Sequence, residues 1–268
     1  MEVITSAQNP RIKDLLALQE KSRLRREKGL FVVEGQREVS RCRNAGFKLR
    51  TLFICREILE EKSAALTEKA EAEGCAVCEV SPRVYSRIAY RSGTEGIIAE
   101  AEAKGGRLED LVITRPDPLI AVIESVEKPG NIGAVLRSAD AAGADALIIC
   151  DPLTDLYNPN LIRASLGAAF TVQTAAAGSS EAIEWVKRAG LTVYTAQLQD
   201  SLPYYDADMT RGTAIVLGTE STGLSDMWRK AADRHIRIPM LGKVDSLNVS
   251  VSAAILLYEA VRQRNSNG

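Results

Sequence analysis

The segment Ile215-Val-Leu-Gly-Thr-Glu-Ser-Thr-Gly-Leu-Ser225 decides the fold of this chain. Its apolar start predicts a buried β-strand, and Gly218, Thr219 and Glu220 follow where that strand ends. Open α/β sheets bind their ligands at the carboxyl ends of their strands. The segment therefore predicts an α/β fold with a ligand site at this strand end.

A second segment runs from Ile236 to Met240 and leads into Asp245-Ser-Leu-Asn-Val-Ser250. Its Pro239 and Gly242 predict a turn. The polar residues after the turn stand at the start of a long apolar helix, where they can reach a ligand. Ser and Asn also cap ordinary helices, so this stretch alone leaves both interpretations open.

The glycines of Gly218-Thr-Glu-Ser-Thr-Gly223 are spaced as in a phosphate-binding loop. Leu224 stands where the lysine of an NTPase loop would follow, which argues against that class of enzyme. A G-x-G-x-x-G motif does not follow the first predicted strand of either half of the chain, which argues against NAD binding.

A further polar group lies upstream, between Glu127 and Asp140. A loop after a predicted strand brings Asn131 to a helix start, where Asn is a favoured cap. Arg137 lies six residues later in a helix rich in Ala, Val and Leu, on a surface expected to pack. A guanidinium there needs a carboxylate or a phosphate, so a structural pair with Glu220 and a substrate contact are both open.

The charge of the chain is unevenly distributed. Residues 1–50 contain 12 Lys or Arg against 6 Asp or Glu, although the net charge of all 268 residues is only −1. A basic segment on an otherwise acidic protein predicts a polyanionic partner, with a solvated helix face as the alternative. Aromatic residues make up only 5% of the chain, which argues against base stacking on many rings.

Several classes of protein are disfavoured by the sequence. Apolar runs fall short of the roughly 20 residues that span a membrane, and the first residues do not resemble a signal peptide. Five scattered cysteines fit a reducing compartment, so a cytoplasmic location is expected. Cys75 and Cys78 lie in a predicted buried strand, and a metal role is not expected. A single histidine, His235, leaves a Ser-His-Asp triad without a strong candidate.

Helical and strand-like segments alternate along the chain, which predicts parallel α/β units. Residues 1–10 are expected to form a loose arm, and residues 11–28 one basic helix. Residues 101–116 are polar and punctuated by Gly and Pro, which predicts a boundary between a domain at 1–104 and another at 117–268. The predicted strands are 30–34, 51–55, 76–80, 96–100, 119–124, 146–150 and 191–196, and the predicted helices are 36–45, 57–73, 131–142, one from about 160, and 180–189.

Taken together, the three polar segments resemble the motifs of the SpoU family, within the SPOUT superfamily of methyltransferases. Asn131 to Arg137 is similar to the first motif, and Leu217-Gly-Thr-Glu220 with Gly223-Leu-Ser225 to the second. Ile238-Pro-Met240 through Ser250 is similar to the third. The resemblance covers about residues 117–264, while residues 1–100 more loosely resemble the accessory domain, similar to ribosomal protein L30e, of many members.

The resemblance implies transfer of a methyl group from S-adenosylmethionine to a ribose 2′-hydroxyl of RNA, without a metal. It also implies a carboxyl-terminal domain with a parallel sheet and a deep trefoil knot, and a homodimer. The cofactor contacts implied by matching position are Gly218, Ile238 and Leu247, with Thr195, Pro239 and Met240 nearby. The implied catalytic or substrate-binding residues are Asn131, Arg137, Glu220, Ser246 and Asn248.

Arg137 is expected to bind the phosphate next to the target ribose and to stabilise the developing alkoxide, since arginine stays protonated in proteins. The expected substrate is 23S ribosomal RNA. The alternatives are a transfer-RNA methyltransferase, an antibiotic-resistance methyltransferase of ribosomal RNA, and an RNA-binding protein without turnover. Removing residues 1–100 is expected to leave cofactor binding intact and to abolish methylation. The residues expected to bind RNA phosphates are Lys13, Lys21, Arg23, Arg25, Arg26 and Lys28.

Overall fold

The structure, a computed structural model, describes residues 2–90, 95–219 and 222–266. The chain divides into two compact units. The first comprises Met1–Lys104 together with Asp155–Phe170, and the second comprises Gly105–Thr154 together with Thr171–Gly268. The first unit is therefore built from two separate stretches of sequence.

The described strands are β1 (Glu2–Ile4), β2 (Leu30–Glu34), β3 (Leu49–Ile54), β4 (Ala76–Val80), β5 (Ile97–Glu102), β6 (Leu119–Glu124), β7 (Ala146–Cys150), β8 (Gln173–Ala177), β9 (Thr192–Ala196), β10 (Leu202–Pro203), β11 (Thr213–Leu217) and β12 (Arg234–Arg237). The described α-helices are α1 (Pro10–Glu20), α2 (Ser22–Lys28), α3 (Gln36–Asn44), α4 (Glu61–Ala72), α5 (Pro82–Ile88), α6 (Pro129–Ala142), α7 (Pro159–Ser165), α8 (Ala168–Thr171), α9 (Ser179–Arg188), α10 (Asp226–Ala231) and α11 (Val249–Ser266).

The first unit contains a five-stranded mixed sheet in the order β1-β4-β3-β5-β2. Strand β5 runs antiparallel to both of its neighbours, β3 and β2. The expected parallel pairing is found between β1 and β4 and between β3 and β4, while β5 lies between β3 and β2 and runs against both. The predicted loose arm also contains a strand, since β1 pairs in parallel with β4.

The predicted basic helix at 11–28 is divided into α1 and α2. Asn9 caps α1 by accepting a hydrogen bond from the Arg11 backbone N–H at 2.9 Å, and Pro10 follows at the first helical position. Lys21 then adopts an extended conformation, with φ −106° and ψ 105°. This break turns α2 so that Arg25 can donate to the carbonyl of Leu18 at 2.6 Å.

The segment Asp155–Phe170 completes the core of the first unit. The rings of Tyr157 and Phe31 stack with their centroids 4.3 Å apart, and the ring of Phe170 lies 6.0 Å from that of Phe31. Burial raises the pKa of Tyr157 to about 12, and its hydroxyl donates to the carbonyl of Lys104 at 3.0 Å. This segment is therefore an integral part of the first unit.

The second unit contains a seven-stranded parallel sheet in the order β10-β12-β9-β11-β6-β7-β8. Strands β6, β7 and β11 are buried along their whole length. This burial is typical of a parallel sheet covered on both faces. Because all strands are parallel, the carboxyl ends of β9, β11 and β12 lie at one edge of the sheet. The predicted α/β class is confirmed for this unit.

Candidate functional site

A cavity of about 330 Å³ opens at the carboxyl ends of β9, β11 and β12. Its size lies within the range of small-molecule sites, about 300–1,000 Å³. Its wall combines aliphatic side chains with a few polar ones, and the residues that line it are Ala196, Gln197, Leu198, Gln199, Leu217, Gly218, Thr219, Thr222, Gly223, Leu224, Arg229, Ile236, Arg237, Ile238, Met240, Asp245, Ser246, Leu247, Val249 and Ser252.

One wall of the cavity is a tight turn after β11. The Gly223 backbone N–H donates to the carbonyl of Thr219 at 3.0 Å, and the hydroxyls of Thr219 and Thr222 lie 2.7 Å apart. A Cβ on Gly218 would stand 2.3 Å from the backbone carbon and oxygen of Gly223. Only glycine fits at position 218, so this wall presents backbone groups to the cavity. Glu220, which follows Thr219 in the sequence, lies outside the described residues.

The third polar segment supplies another part of the wall. Ile238, Met240, Ser246 and Leu247, all predicted site residues, line the cavity. Pro239 connects two of them and does not itself form part of the described wall.

Thr195, predicted to lie near the cofactor, is fully buried in β9. Its hydroxyl lies 2.7 Å from the Nδ1 atom of His235 in β12. The next residues along the chain, Ala196 and Gln197, line the cavity instead. Thr195 therefore belongs to the strand that leads into the cavity wall, and it does not itself line the cavity.

A hydrogen bond between two amides joins the first and third polar segments. The Nδ2 group of Asn248 donates to Oδ1 of Asn131 at 3.2 Å. Oδ1 of Asn248 accepts from the backbone N–H of Ser250 at 3.0 Å and from its hydroxyl at 2.6 Å. Asn131 is the third residue of α6, which begins at Pro129, so its side chain is not the helix cap that the sequence left open.

Arg137 is exposed on α6, whereas its apolar neighbours Val135, Leu136 and Ala139 are buried. The expectation that Arg137 lies on a packed surface is therefore wrong. Six residues of an α-helix turn by about 240° beyond a full turn, so Arg137 and Asn131 project from different sides of α6. The exposed guanidinium can meet a phosphate from solution.

Polar residues of the cavity wall escaped the sequence analysis, among them Gln197 and Arg229. Gln197 follows β9, and Arg229 lies in α10. Oε1 of Gln197 and Nε of Arg229 are buried and have no hydrogen-bond partner among the described residues. Buried polar atoms are usually paired, so both atoms suit a ligand. Neither residue belongs to a motif, and no sequence signal marked them.

The donor set fits S-adenosylmethionine. Aliphatic side chains such as Leu217, Ile236 and Leu247 suit an adenine ring, while Gln197 and Arg229 suit polar groups of the ribose and the amino-acid portion. The glycine turn allows the backbone to approach a bound molecule closely.

The basic amino-terminal stretch contains both exposed and internally paired side chains. Lys13, Lys21 and Arg26 are exposed. Arg23 pairs with Glu27 at 2.6 Å on the surface, and Lys28 pairs with Asp14.

Arg25, in contrast, is only 4% exposed. It binds Asp155 through two hydrogen bonds, at 3.1 and 2.6 Å, and the carbonyls of Leu18 and Gln19 at 2.6 and 3.0 Å. The prediction that Arg25 binds RNA is therefore wrong: it is a buried structural residue.

The described residues contain no group of three or more His, Cys, Asp or Glu side chains placed to hold a metal ion. Cys75 and Cys78 are buried at β4, and burial raises the pKa of the Cys75 thiol to about 11. Within the same described ranges, no helix has the length and apolarity needed to cross a membrane.

Comparison with protein families identifies two regions. The model of the SpoU rRNA methylase family matches residues 118–258, which include the whole cavity wall. The model of an MRM3-like substrate-binding domain matches residues 9–99.

Individual proteins match nearly the whole chain. A 23S rRNA (uridine(2479)-2′-O)-methyltransferase of Streptomyces viridochromogenes is 31% identical, over 97% of this chain and 92% of its own. The crystal structure of an RNA 2′-O ribose methyltransferase is 41% identical, with a TM-score of 0.85 and coverage of 98% and 99%. The SpoU methyltransferase AviRb of S. viridochromogenes, in complex with AdoMet, is 31% identical, with a TM-score of 0.88 and coverage of 96% and 100%.

Proposed function

This chain belongs to the SpoU rRNA methylase family, and we propose that it transfers a methyl group from S-adenosylmethionine to a ribose 2′-hydroxyl of 23S ribosomal RNA. One observation carries the proposal: the cavity at the strand ends is formed by the second and third polar segments, and the Asn131–Asn248 hydrogen bond joins the first segment to them. This grouping of three separate parts of the sequence supports a single site.

S-adenosylmethionine supplies an electrophilic methyl group when it is bound. The remaining task of the protein is to place a ribose oxygen in line with that methyl group, which is a positioning problem. The amides of Asn131 and Asn248 join two segments through a hydrogen bond, and Ser246, two residues before Asn248, lines the cavity. These residues, together with Glu220, are proposed to bind and orient the ribose.

Arg137 is proposed to bind the phosphate next to the target ribose. Its exposed guanidinium can form two parallel hydrogen bonds with phosphate oxygens. Its permanent positive charge would also stabilise the negative charge that develops on the 2′-oxygen.

Ribosomal RNA is the preferred substrate because the similarity extends over both units. The relative from S. viridochromogenes that acts on 23S rRNA aligns with 97% of the chain. The first unit, which matches a substrate-binding domain, also presents the exposed cations Lys13, Lys21 and Arg26. Phosphate contacts of this kind would position the RNA, and transfer RNA is the alternative substrate.

We further propose that the second unit is knotted and that the protein is a homodimer in the cytoplasm. The knot follows from the resemblance to the family, and Val251 and Tyr258, which expose apolar surface on α11, support the dimer. The five cysteines are buried and form no disulfide, as a reducing compartment requires. Sedimentation should show twice the 29.1 kDa of the chain, and a monomer at all concentrations would exclude the dimer.

The test of the function is a map of 2′-O-methylation across total RNA from cells with and without the protein. One 23S rRNA nucleotide should lose its methyl group in the deletion strain and regain it with the purified protein and S-adenosylmethionine. Loss confined to transfer RNA would change the substrate. An unchanged map, together with no methylation in vitro, would refute the proposed activity.

A further inference from the structure

Arg229 carries a guanidinium into the wall of the cavity but has no described partner there. Its Nε atom is buried without a hydrogen-bond acceptor among the residues that the structure describes. A terminal nitrogen of the same side chain, Nη2, lies 3.7 Å from the point where a Cβ would stand on Gly223. The guanidinium therefore lies against the glycine turn, at the edge of the proposed cofactor site.

A buried donor of a charged group without an acceptor costs free energy, because it has lost its hydration without gaining a hydrogen-bond partner. Guanidinium groups inside proteins normally pair with carboxylates or phosphates. Within the described part of the wall, the carboxylate is that of Asp245, and it accepts a hydrogen bond from the Ser246 hydroxyl at 3.3 Å. The anion that Arg229 lacks is therefore expected to come from a ligand.

We propose that Arg229 binds the carboxylate of the amino-acid portion of S-adenosylmethionine. This inference rests on the proposed function. It adds that Arg229 determines which part of the cofactor lies beside the glycine turn. The carboxylate is the only negatively charged group of that molecule. The guanidinium has five N–H donors in one plane, and two of them can donate in parallel to the two oxygens of a carboxylate.

The electrostatics of the wall favour this orientation. The described charged residues that line it are Arg229, Arg237 and Asp245. The two guanidinium groups repel the sulfonium and the ammonium of the cofactor and attract its carboxylate. S-adenosylhomocysteine lacks the sulfonium charge, so we expect it to bind at least as tightly as S-adenosylmethionine.

Two ligands isolate the proposed contact. S-adenosylhomocysteine and 5′-methylthioadenosine share the nucleoside and the thioether, but only the first has the amino-acid portion. Calorimetry with the full-length protein should show that S-adenosylhomocysteine binds more tightly than 5′-methylthioadenosine. Equal affinities in the wild type would overturn the inference without any variant, and binding of neither ligand would instead refute the proposed function.

The variant test uses Arg229→Met. It should weaken S-adenosylhomocysteine about tenfold to a hundredfold, as expected for the loss of a charge-assisted hydrogen bond, and leave 5′-methylthioadenosine within about twofold. Lys230→Met is the matched control, because Lys230 is the exposed next residue of α10, and it should change neither affinity.

Arg237→Met tests the competing cation of the wall. The assignment to Arg229 is overturned if Arg237→Met weakens binding of S-adenosylhomocysteine but not of 5′-methylthioadenosine, while Arg229→Met does not. An equal loss for both ligands in Arg229→Met would also overturn it, because Arg229 would then support the nucleoside or the fold. A third overturning outcome is unchanged binding of both ligands with weaker RNA binding, which would make Arg229 an RNA contact.

Discussion

Asn131 and Asn248 lie 117 positions apart in the sequence and share a hydrogen bond of 3.2 Å. Residue spacing alone cannot predict such a contact, because it depends on how α6 and α11 pack. The resemblance to SpoU motifs grouped both residues in one site, but it did not indicate that their amides would bond directly. Arg229 was missed for the opposite reason: it belongs to no motif, and only its place in the cavity wall marks it.

The first prediction concerns Arg137. Arg137→Lys should retain RNA affinity within several-fold but lose most turnover, because a lysine ammonium cannot hold a phosphate through two parallel hydrogen bonds. Filter binding would measure the affinity and single-turnover methylation the rate. Exposed Lys128 at the start of the same helix provides a control as Lys128→Arg, which should leave the rate unchanged. Unchanged turnover in Arg137→Lys would remove Arg137 from the mechanism.

A second prediction concerns Gly218. Gly218→Ala should abolish binding of S-adenosylhomocysteine and lower the free energy of unfolding by about 1–3 kcal/mol, because its Cβ would meet the backbone of Gly223 at 2.3 Å. Gly242→Ala is the matched control, since a Cβ there meets nothing within 4 Å. Calorimetry and urea unfolding give the two quantities, and normal binding by Gly218→Ala would show that the turn can open.

At the scale of elements, a buried polar network holds the glycine turn to the sheet. Glu124, the last residue of β6, accepts from the backbone N–H of Ser225 at 2.8 Å through Oε2. The hydroxyl of Ser179 lies 2.9 Å from Oε1 of Glu124 and 2.6 Å from Oδ2 of Asp151. The hydroxyl can donate its single proton to only one of these two oxygens at a time. The indole N–H of Trp228 donates to the same hydroxyl at 3.2 Å.

A third prediction follows from this network. Glu124→Ala should lower the free energy of unfolding by about 1–3 kcal/mol, because buried donors lose their acceptor, and should weaken S-adenosylhomocysteine by freeing Ser225. Glu124→Gln keeps an acceptor oxygen and should be milder on both counts. Glu127→Ala, at an exposed position, should have no effect. Equal effects of the Ala and Gln changes at position 124 would show that the charge matters more than the hydrogen bonds.

A fourth prediction separates the two roles found in the basic stretch. Arg25→Met should lower the free energy of unfolding by about 3–5 kcal/mol, because Asp155 would remain nearly buried without its partner. Arg26→Met should leave stability within about 0.5 kcal/mol but reduce the salt dependence of RNA binding by about one phosphate contact. Chemical unfolding and binding at several salt concentrations would test both, and an unchanged stability of Arg25→Met would show that its ion pair with Asp155 contributes no net stability.

The predictability of each element followed its composition. The bounds of β6 and β7 match the sequence prediction, because β7 is an unbroken apolar run between aspartates and β6 is an apolar run that ends in Glu124. Strand β8, Gln173-Thr-Ala-Ala-Ala177, was missed, because small residues give no strand signal and its pairing with β7 is a tertiary effect. The break at Lys21 was also missed, since residues 11–28 carry helix-forming side chains throughout.

At the scale of the whole molecule, the chain passes from the first unit to the second between Lys104 and Gly105, within the polar stretch 101–116 that Gly and Pro punctuate. The return of Asp155–Phe170 to the first unit could not be predicted, because its apolar residues would suit either core. The expectation that residues 1–100 can simply be removed therefore needs revision: without them, Tyr157, Ile162 and Phe170 would lose the partners that bury them.

The fifth prediction is a revised fragment. Residues 105–268 with 155–170 replaced by a Gly/Ser linker should bind S-adenosylhomocysteine as the full chain does and fail to methylate RNA. The same fragment with 155–170 retained should aggregate, because it exposes the apolar side chains of that segment. Calorimetry, methylation assays and light scattering would distinguish these outcomes. Methylation at the normal rate by the first fragment would contradict the proposed role of the first unit.

The discontinuous first unit also sets an order for biosynthesis. When Lys104 leaves the ribosome, the sheet of that unit is complete, but Tyr157, Ile162 and Phe170, which pack against Phe31 and its neighbours, do not yet exist. Translation at about 5–20 residues per second leaves several seconds before residues 105–170 follow. During that interval the nascent chain presents an uncovered apolar surface, so the first unit should depend on chaperones more than a contiguous domain of equal size.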